Sequence, residues 1–160
     1  MLFRSLGVRT GVWDAAYLWT IPILLIHFGI FFSFSVLLAV LTRNTVACVF
    51  GSIAFWFLCW GMNYGRHVAL AEIYADPKSP MAGTLMQLVD VGYWILPKPA
   101  DLGILLYDAL GASRAFGKIE AFAQVQQHGD FLPTASIAAS LLFLAATLAA
   151  AVYDFVHTDY

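Results

Sequence analysis

The sequence predicts an all-α, polytopic membrane protein with three transmembrane helices and short interfacial helices between the second and third. Three observations predict it. Ala15–Thr42, Asn44–Gly65 and Phe131–Tyr153 carry no formal charge over 28, 22 and 23 residues, and a helix needs about 20 mostly apolar residues to cross a bilayer core roughly 30 Å thick. Hydrophobic residues make up 61% of the chain and charged residues 11%, against about 25% charged in an ordinary soluble domain. Aromatic residues gather where spans would meet the membrane surface, as Trp13, Tyr17 and Trp19 at one place and Trp56, Trp60 and Tyr64 at another, the pattern of an interfacial belt.

At 160 residues the chain makes one membrane domain. Residues 1–14 read as an amphipathic lead-in, with Leu2, Phe3, Leu6 and Trp13 at the interface and Arg4 and Arg9 towards headgroups. The apolar run behind them is too long for a signal peptide, and no small-residue cleavage site follows.

The first span is expected over about 16–41, with Pro22 in its early turns as a potential kink. Thr42-Arg43-Asn44-Thr45 is a tight polar turn, so the second span, about 45–64, folds back antiparallel. Ala47 with Gly51, and Gly61 with Gly65, are small residues four apart, a spacing that lets helices approach closely. The connector, residues 66–130, holds most of the charge. Within it, 84–95 and 100–112 are too short to span and read as helices on the interface or packed on the bundle, separated by Pro97-Lys98-Pro99. Residues 114–128 form a more polar helix. The third span is expected over about 134–153, with Thr134 as its N-cap and an alanine-rich surface suited to close packing.

Ionisable and polar groups inside spans are functional candidates, because charge in hydrocarbon is costly. His27, Ser33, Ser35 and Asn63 are those candidates here. The plainer role for His27 is a structural hydrogen bond to Ser or Thr of a neighbouring helix. Trp19, Arg43, Trp60 and Arg66 are candidate interfacial anchors. Arg66 and His67 suit lipid phosphate or a carboxylate such as Glu72. Glu72, Asp76, Asp90, Asp101 and Asp108 read as solvated helix faces, since no His-x-x-x-His or Cys-x-x-Cys spacing gathers them around a metal. Cys48 and Cys59 lie 11 apart on one helix, too far to pair, and read as packing thiols.

The segment from Gly111 to Lys118 resembles a phosphate-binding loop only superficially. Five residues separate its glycines and Ile119 follows the lysine, where the motif has four and then Ser or Thr. No nucleophile elbow is present. The sequence thus gives no catalytic, cofactor or metal residues. A net charge of −2 and eight scattered basic residues give no nucleic-acid signal and no polybasic lipid cluster.

Three segments resemble the C-terminal half of a permease subunit of the type 2, exporter-type ABC transporters. They are Ser35–Cys48 with its short polar turn, Tyr93-Trp-Ile-Leu-Pro-Lys-Pro-Ala-Asp-Leu102 with its prolines, and the last span ending Tyr153-Asp-Phe-Val-His-Thr-Asp-Tyr160. Complete permeases of that family have more than three spans, and their closing basic cluster is reduced here to His157. The resemblance implies a fragment or split permease in a cell membrane, the inner membrane in a bacterium. Its implied partners are an ABC ATPase subunit that hydrolyses ATP, further permease helices or a second permease copy, and membrane lipid. It places the Arg43 turn and the C-terminus in the cytoplasm. Counting basic residues reverses this, because Arg4, Arg9, Arg66 and Lys78 fall on one side and Arg43 on the other. Two other readings stay open: a small non-transporting membrane scaffold or assembly protein, and a lipid-acting enzyme in which connector carboxylates converge with His67 or His128.

Overall fold

In a computed structural model of the chain, the described residues are 16–77, 79, 83–112 and 116–158. The lead-in of residues 1–14, Lys78 and Asp159 lie outside them. The described residues form six helices: α1 Ala16–Thr42, α2 Thr45–Ala75, α3 Thr84–Ile95, α4 Pro99–Ala109, α5 Glu120–His128 and α6 Pro133–His157. Helices α1, α2 and α6 are long and apolar enough to cross a membrane.

The α1–α2 turn is short because three consecutive residues each do one task. Thr42 Oγ1 closes the last turn of α1 by donating to Leu38 O at 2.7 Å. Arg43 takes a left-handed φ of 51°, and its N–H reaches Ala39 O at 3.0 Å. Asn44 then caps α2, its Oδ1 accepting from Val46 N at 2.9 Å and Ala47 N at 3.3 Å. Above the turn the helices nearly touch. A Cβ on Gly51 would sit 2.7 Å from Leu38 Cδ1, and Ser35 and Ser52 share a hydrogen bond of 2.7 Å. Gly51 therefore serves the close approach its spacing suggests, whereas Gly61 faces open space.

Helix α6 runs parallel to α1. Thr147 Oγ1 donates to Ser33 Oγ at 2.8 Å, and one turn earlier on both helices Gly29 lies against Leu144. Phe34 of α1, Phe55 of α2 and Phe143 of α6 stack in sequence, with ring centroids 3.8 and 5.5 Å apart. Around them Ile30, Cys59 and Leu102 are fully buried. The bundle thus has one end made of the Arg43 turn and the C-terminal end of α6. The other carries the start of α1, the connector and Pro133.

Several expected boundaries shift. Helix α2 does not stop at 64 but continues to Ala75, about 46 Å in all at 1.5 Å per residue, so its last turns extend past a bilayer core. Arg66 and His67 do not end it because connector carboxylates receive them. It stops at Asp76, since the residue before a proline disfavours helical backbone. Helix α6 begins at Pro133 with Leu132 in the cap position and no side-chain cap. Thr134 is therefore inside the helix, not its N-cap, because the fixed φ of Pro133 suits the first helical position and starts the helix one residue earlier. It also continues past 153 to His157. Helix α4 ends at Ala109, and α5 starts only at Glu120. Helix α3 matches its expected span. Both thiols are free, and Cys59 is a packed core residue.

Asn44→Ala removes the acceptor for two otherwise orphaned N–H groups. It is expected to lower unfolding stability by about 1 kcal/mol, read from denaturant unfolding of the detergent-solubilised protein. An unchanged midpoint would show that the cap contributes nothing.

Candidate functional site

The connector does not lie flat. Its Leu96-Pro97-Lys98-Pro99 turn enters the bundle, and Leu96 and Leu102 pack on the Ile30–Phe55 core. Pro99 starts α4 at its first position, where a missing N–H costs nothing. Asp101 falls in that first turn, where the helix dipole favours negative charge. Lys98, in the cap position, offers α4 no side-chain cap, so the orphaned N–H groups are met from other helices. Asn63 Oδ1 of α2 accepts Asp101 N–H at 2.9 Å, and Ser140 Oγ of α6 accepts Lys98 N–H at 3.2 Å.

Asn63 and His67 are four apart and share a face of α2. Both point at Asp101. Its Oδ1 accepts from His67 Nε2 at 2.6 Å and Asn63 Nδ2 at 3.2 Å. Its Oδ2 accepts from Tyr93 of α3 at 2.8 Å and from Ser136 of α6. A carboxylate offers about four lone-pair sites, and here all four are used. Asp101, His67 and Ser136 have no exposed surface.

Basic groups surround this carboxylate. Arg66 Nε pairs with Asp90 at 2.8 Å, and its guanidinium carbon lies 4.2 Å from the Tyr93 ring centre. Lys98 Nζ lies 4.5 Å from the same ring centre and 5.3 Å from that of Trp94. Lys98 is fully buried. Among the described residues its Nζ, His67 Nδ1 and Arg66 Nη1 have no hydrogen-bond partner.

Burial pushes the Asp101 carboxyl up, but the His67 hydrogen bond and charge, with the Ser136 and Tyr93 donors, hold it below its ordinary value. Burial lowers the Lys98 ammonium against the pull of Asp101. Burial, then the Asp101 charge, raises the Tyr93 phenol. The contacts do not follow the order of a nucleophile–base–carboxylate relay, in which the histidine sits in the middle. Here the carboxylate is central, and Ser136 donates to it. Four helices are held on one anion.

The outer face of α4 borders a cavity of about 480 Å³, lined by His27, Trp56, Trp60, Tyr64, Gly103 and Lys118 among others. His27 faces this cavity with its ring 5.5 Å from that of Phe31. Ser33, Ser35 and Asn63 join helices instead of lining it, through Thr147, Ser52 and Asp101. Trp19 is 72% exposed, as an anchor would be, and Trp60 42%. Arg43 is the exposed apex of the hairpin.

Two expectations need correction. Arg66 and His67 turn inwards to Asp90 and Asp101 instead of meeting headgroups or Glu72, which accepts from Ser79 at 2.8 Å. Of the five connector carboxylates expected to be solvated, Asp101 is wholly buried, whereas Asp90 and Asp108, though paired, keep 39% and 43% of their side chains exposed, and Glu72 and Asp76 are exposed. Asp101, Tyr93, Lys98 and Ser136 escaped sequence reading. The available signal was the Pro-Ala-Asp start of α4 opposite the i, i+4 pair Asn63 and His67. Among the described residues no group of three metal-ligating side chains converges. Comparison with protein-family models, curated proteins and solved structures finds no match.

Asp101→Ala strands four donors and is expected to cost about 3–5 kcal/mol. Lys98→Met removes a buried, unpaired ammonium of similar bulk and is expected to be neutral or stabilising, read by unfolding in detergent; a large loss would mean that Lys98 holds the cluster. The pH response separates the two groups. Between the lowered folded-state pKa of Lys98 and 10.5, the unfolded chain binds a proton that the folded chain does not, so stability rises with pH across that window. Asp101, held below 3.8, stabilises above that pH, and its contribution is lost as pH falls through its folded value. The alkaline rise should vanish in Lys98→Met, and its persistence would assign it elsewhere.

Proposed function

We propose that this chain is a membrane-embedded permease component of an exporter, energised by a separate ATPase subunit in which ATP is hydrolysed. The observation that carries the reading is the clamp on Asp101. The proline-containing segment Tyr93–Leu102, one of three on which the family resemblance rests, supplies Tyr93 and Asp101, which join α3 and α4 to α2 and α6. Alternating access needs bundles that rock as units, and a buried network with every acceptor site filled rigidifies this one. The hairpin turn at Arg43 supplies a compact opposite end.

Three spans enclose no path through the membrane by themselves, so the pathway forms with further permease helices or a second copy. The exposed alanines of α6, among them Ala138, Ala145 and Ala149, allow such a helix to approach closely. The cell membrane is the expected location, with the chain crossing it several times.

Purification in mild detergent tests the reading. An ATPase subunit is expected to accompany the chain, and vesicles holding both should show ATP-dependent efflux. Recovery of the chain without an ATPase, and vesicles inert to ATP, would defeat it and favour a scaffold.

A further inference from the structure

The cavity beside α4 lies on the flank formed by α1 and α2, and no described residue of α6 lines it. Its depth follows α2. Trp56, Trp60 and Tyr64 descend one side, about 12 Å from first to last at 1.5 Å per residue. Trp56 is 39% and Trp60 42% exposed, so the cavity opens sideways, on the flank of two helices apolar enough to cross a membrane. At the shallow end Tyr64 packs edge-on against Phe122 of α5, with centroids 5.6 Å apart, and Lys118 reaches Gln126 of the same helix.

Two features give the cavity a chemistry. Its walls are mostly aromatic and aliphatic, and Gly103 and Gly117 leave it empty: a Cβ on either would meet nothing within 4 Å. A methylene occupies about the space of a water molecule, ~30 Å³, so 480 Å³ holds on the order of 16 methylenes, one acyl chain. Lys118, which lines the cavity, pairs its Nζ with Asp108 Oδ1 at 2.7 Å, and the Asp108 side chain, outside the lining but held beside it by this pair, is 43% exposed. An ammonium has three donors and a carboxylate about four acceptor sites. Lys118 spends two donors, on Asp108 and Gln126. Asp108 uses two acceptor sites, for Lys118 and Gln126. One positive and one negative group thus stand side by side with capacity left over. A headgroup carrying only negative charge would meet Asp108 unfavourably, whereas one carrying phosphate and a primary ammonium matches both.

We propose that this cavity binds one phosphatidylethanolamine, with an acyl chain against Trp56, Trp60 and Gly103, its phosphate on Lys118 and its ammonium on Asp108. The site stands whether or not the chain is a permease.

Native mass spectrometry of the full chain, released from detergent after equilibration with phosphatidylethanolamine or phosphatidylglycerol, tests it. The protein should retain one phosphatidylethanolamine, and at least tenfold less phosphatidylglycerol. Gly103→Leu fills the cavity and should abolish retention, while Gly61→Leu, on an open stretch of α2 outside the cavity, should retain it fully. Gly117→Leu repeats the filling from the loop, so a folding defect in one variant does not decide the outcome. The double variant Lys118→Gln, Asp108→Asn should erase the headgroup preference. Equal retention by all three leucine variants, or equal retention of the two lipids by the unmodified chain, overturns the proposal.

Discussion

Asp101 can be buried in this bundle only because four side chains donate to it. An ionised carboxylate removed from water costs several kcal/mol unless its sites are filled, and no single helix could fill them. Asn63 and His67 come from α2, Tyr93 from α3 and Ser136 from α6. Meeting the demand of one anion fixes where all these helices stand. The geometry also explains the two prolines: Pro97 and Pro99 hold the turn that carries Asp101 inwards, and Pro99 removes an N–H that would otherwise need a partner at that depth.

Much of the fold was legible along the chain. Span positions follow from charge-free length, and the hairpin follows from a polar turn only a few residues long. These are local signals, because the bilayer imposes a length and a tight turn imposes its own residues. The end of α2 was misread for the opposite reason. Arg66 and His67 look like the edge of a membrane span when read alone, since charge is costly in hydrocarbon. They continue the helix because Asp90 and Asp101, 24 and 34 residues away, receive them. Of the predicted intramembrane candidates, Asn63 belongs to the site, while Ser33 and Ser35 are joints between helices. Asp101 itself was hidden, because a lone connector aspartate resembles a solvated one until its partners are known.

Helix α4 joins the clamp to the cavity. Asp101 and Leu102 face the bundle, fully buried. Ala100, Gly103 and Tyr107 face the cavity. A helix anchored so firmly on one side can present an unfilled surface on the other without collapsing onto α1 and α2. Small residues on that outer face preserve the space. Larger ones would gain packing and close it.

The two ends of the bundle are secured by different physics, and this bears on how it could move. At the Arg43 end the restraints are neutral: a capped turn between consecutive helices, the Ser35–Ser52 hydrogen bond beside it, and the Ser33–Thr147 hydrogen bond that ties α1 to α6. At the connector end the restraints on Asp101 are charged and desolvated, and at the exposed surface Tyr74 adds a further tie by donating to Asp130 while stacking on His128. Packed cores resist continuous deformation and move as units. Motion in this protein should therefore carry the bundle as one unit, or bend α1 and α6 towards the Arg43 end. Shearing α2 past α6 at the level of Asp101 would withdraw the donors of a carboxylate that has no exposed surface, which makes the connector end the fixed point of the molecule.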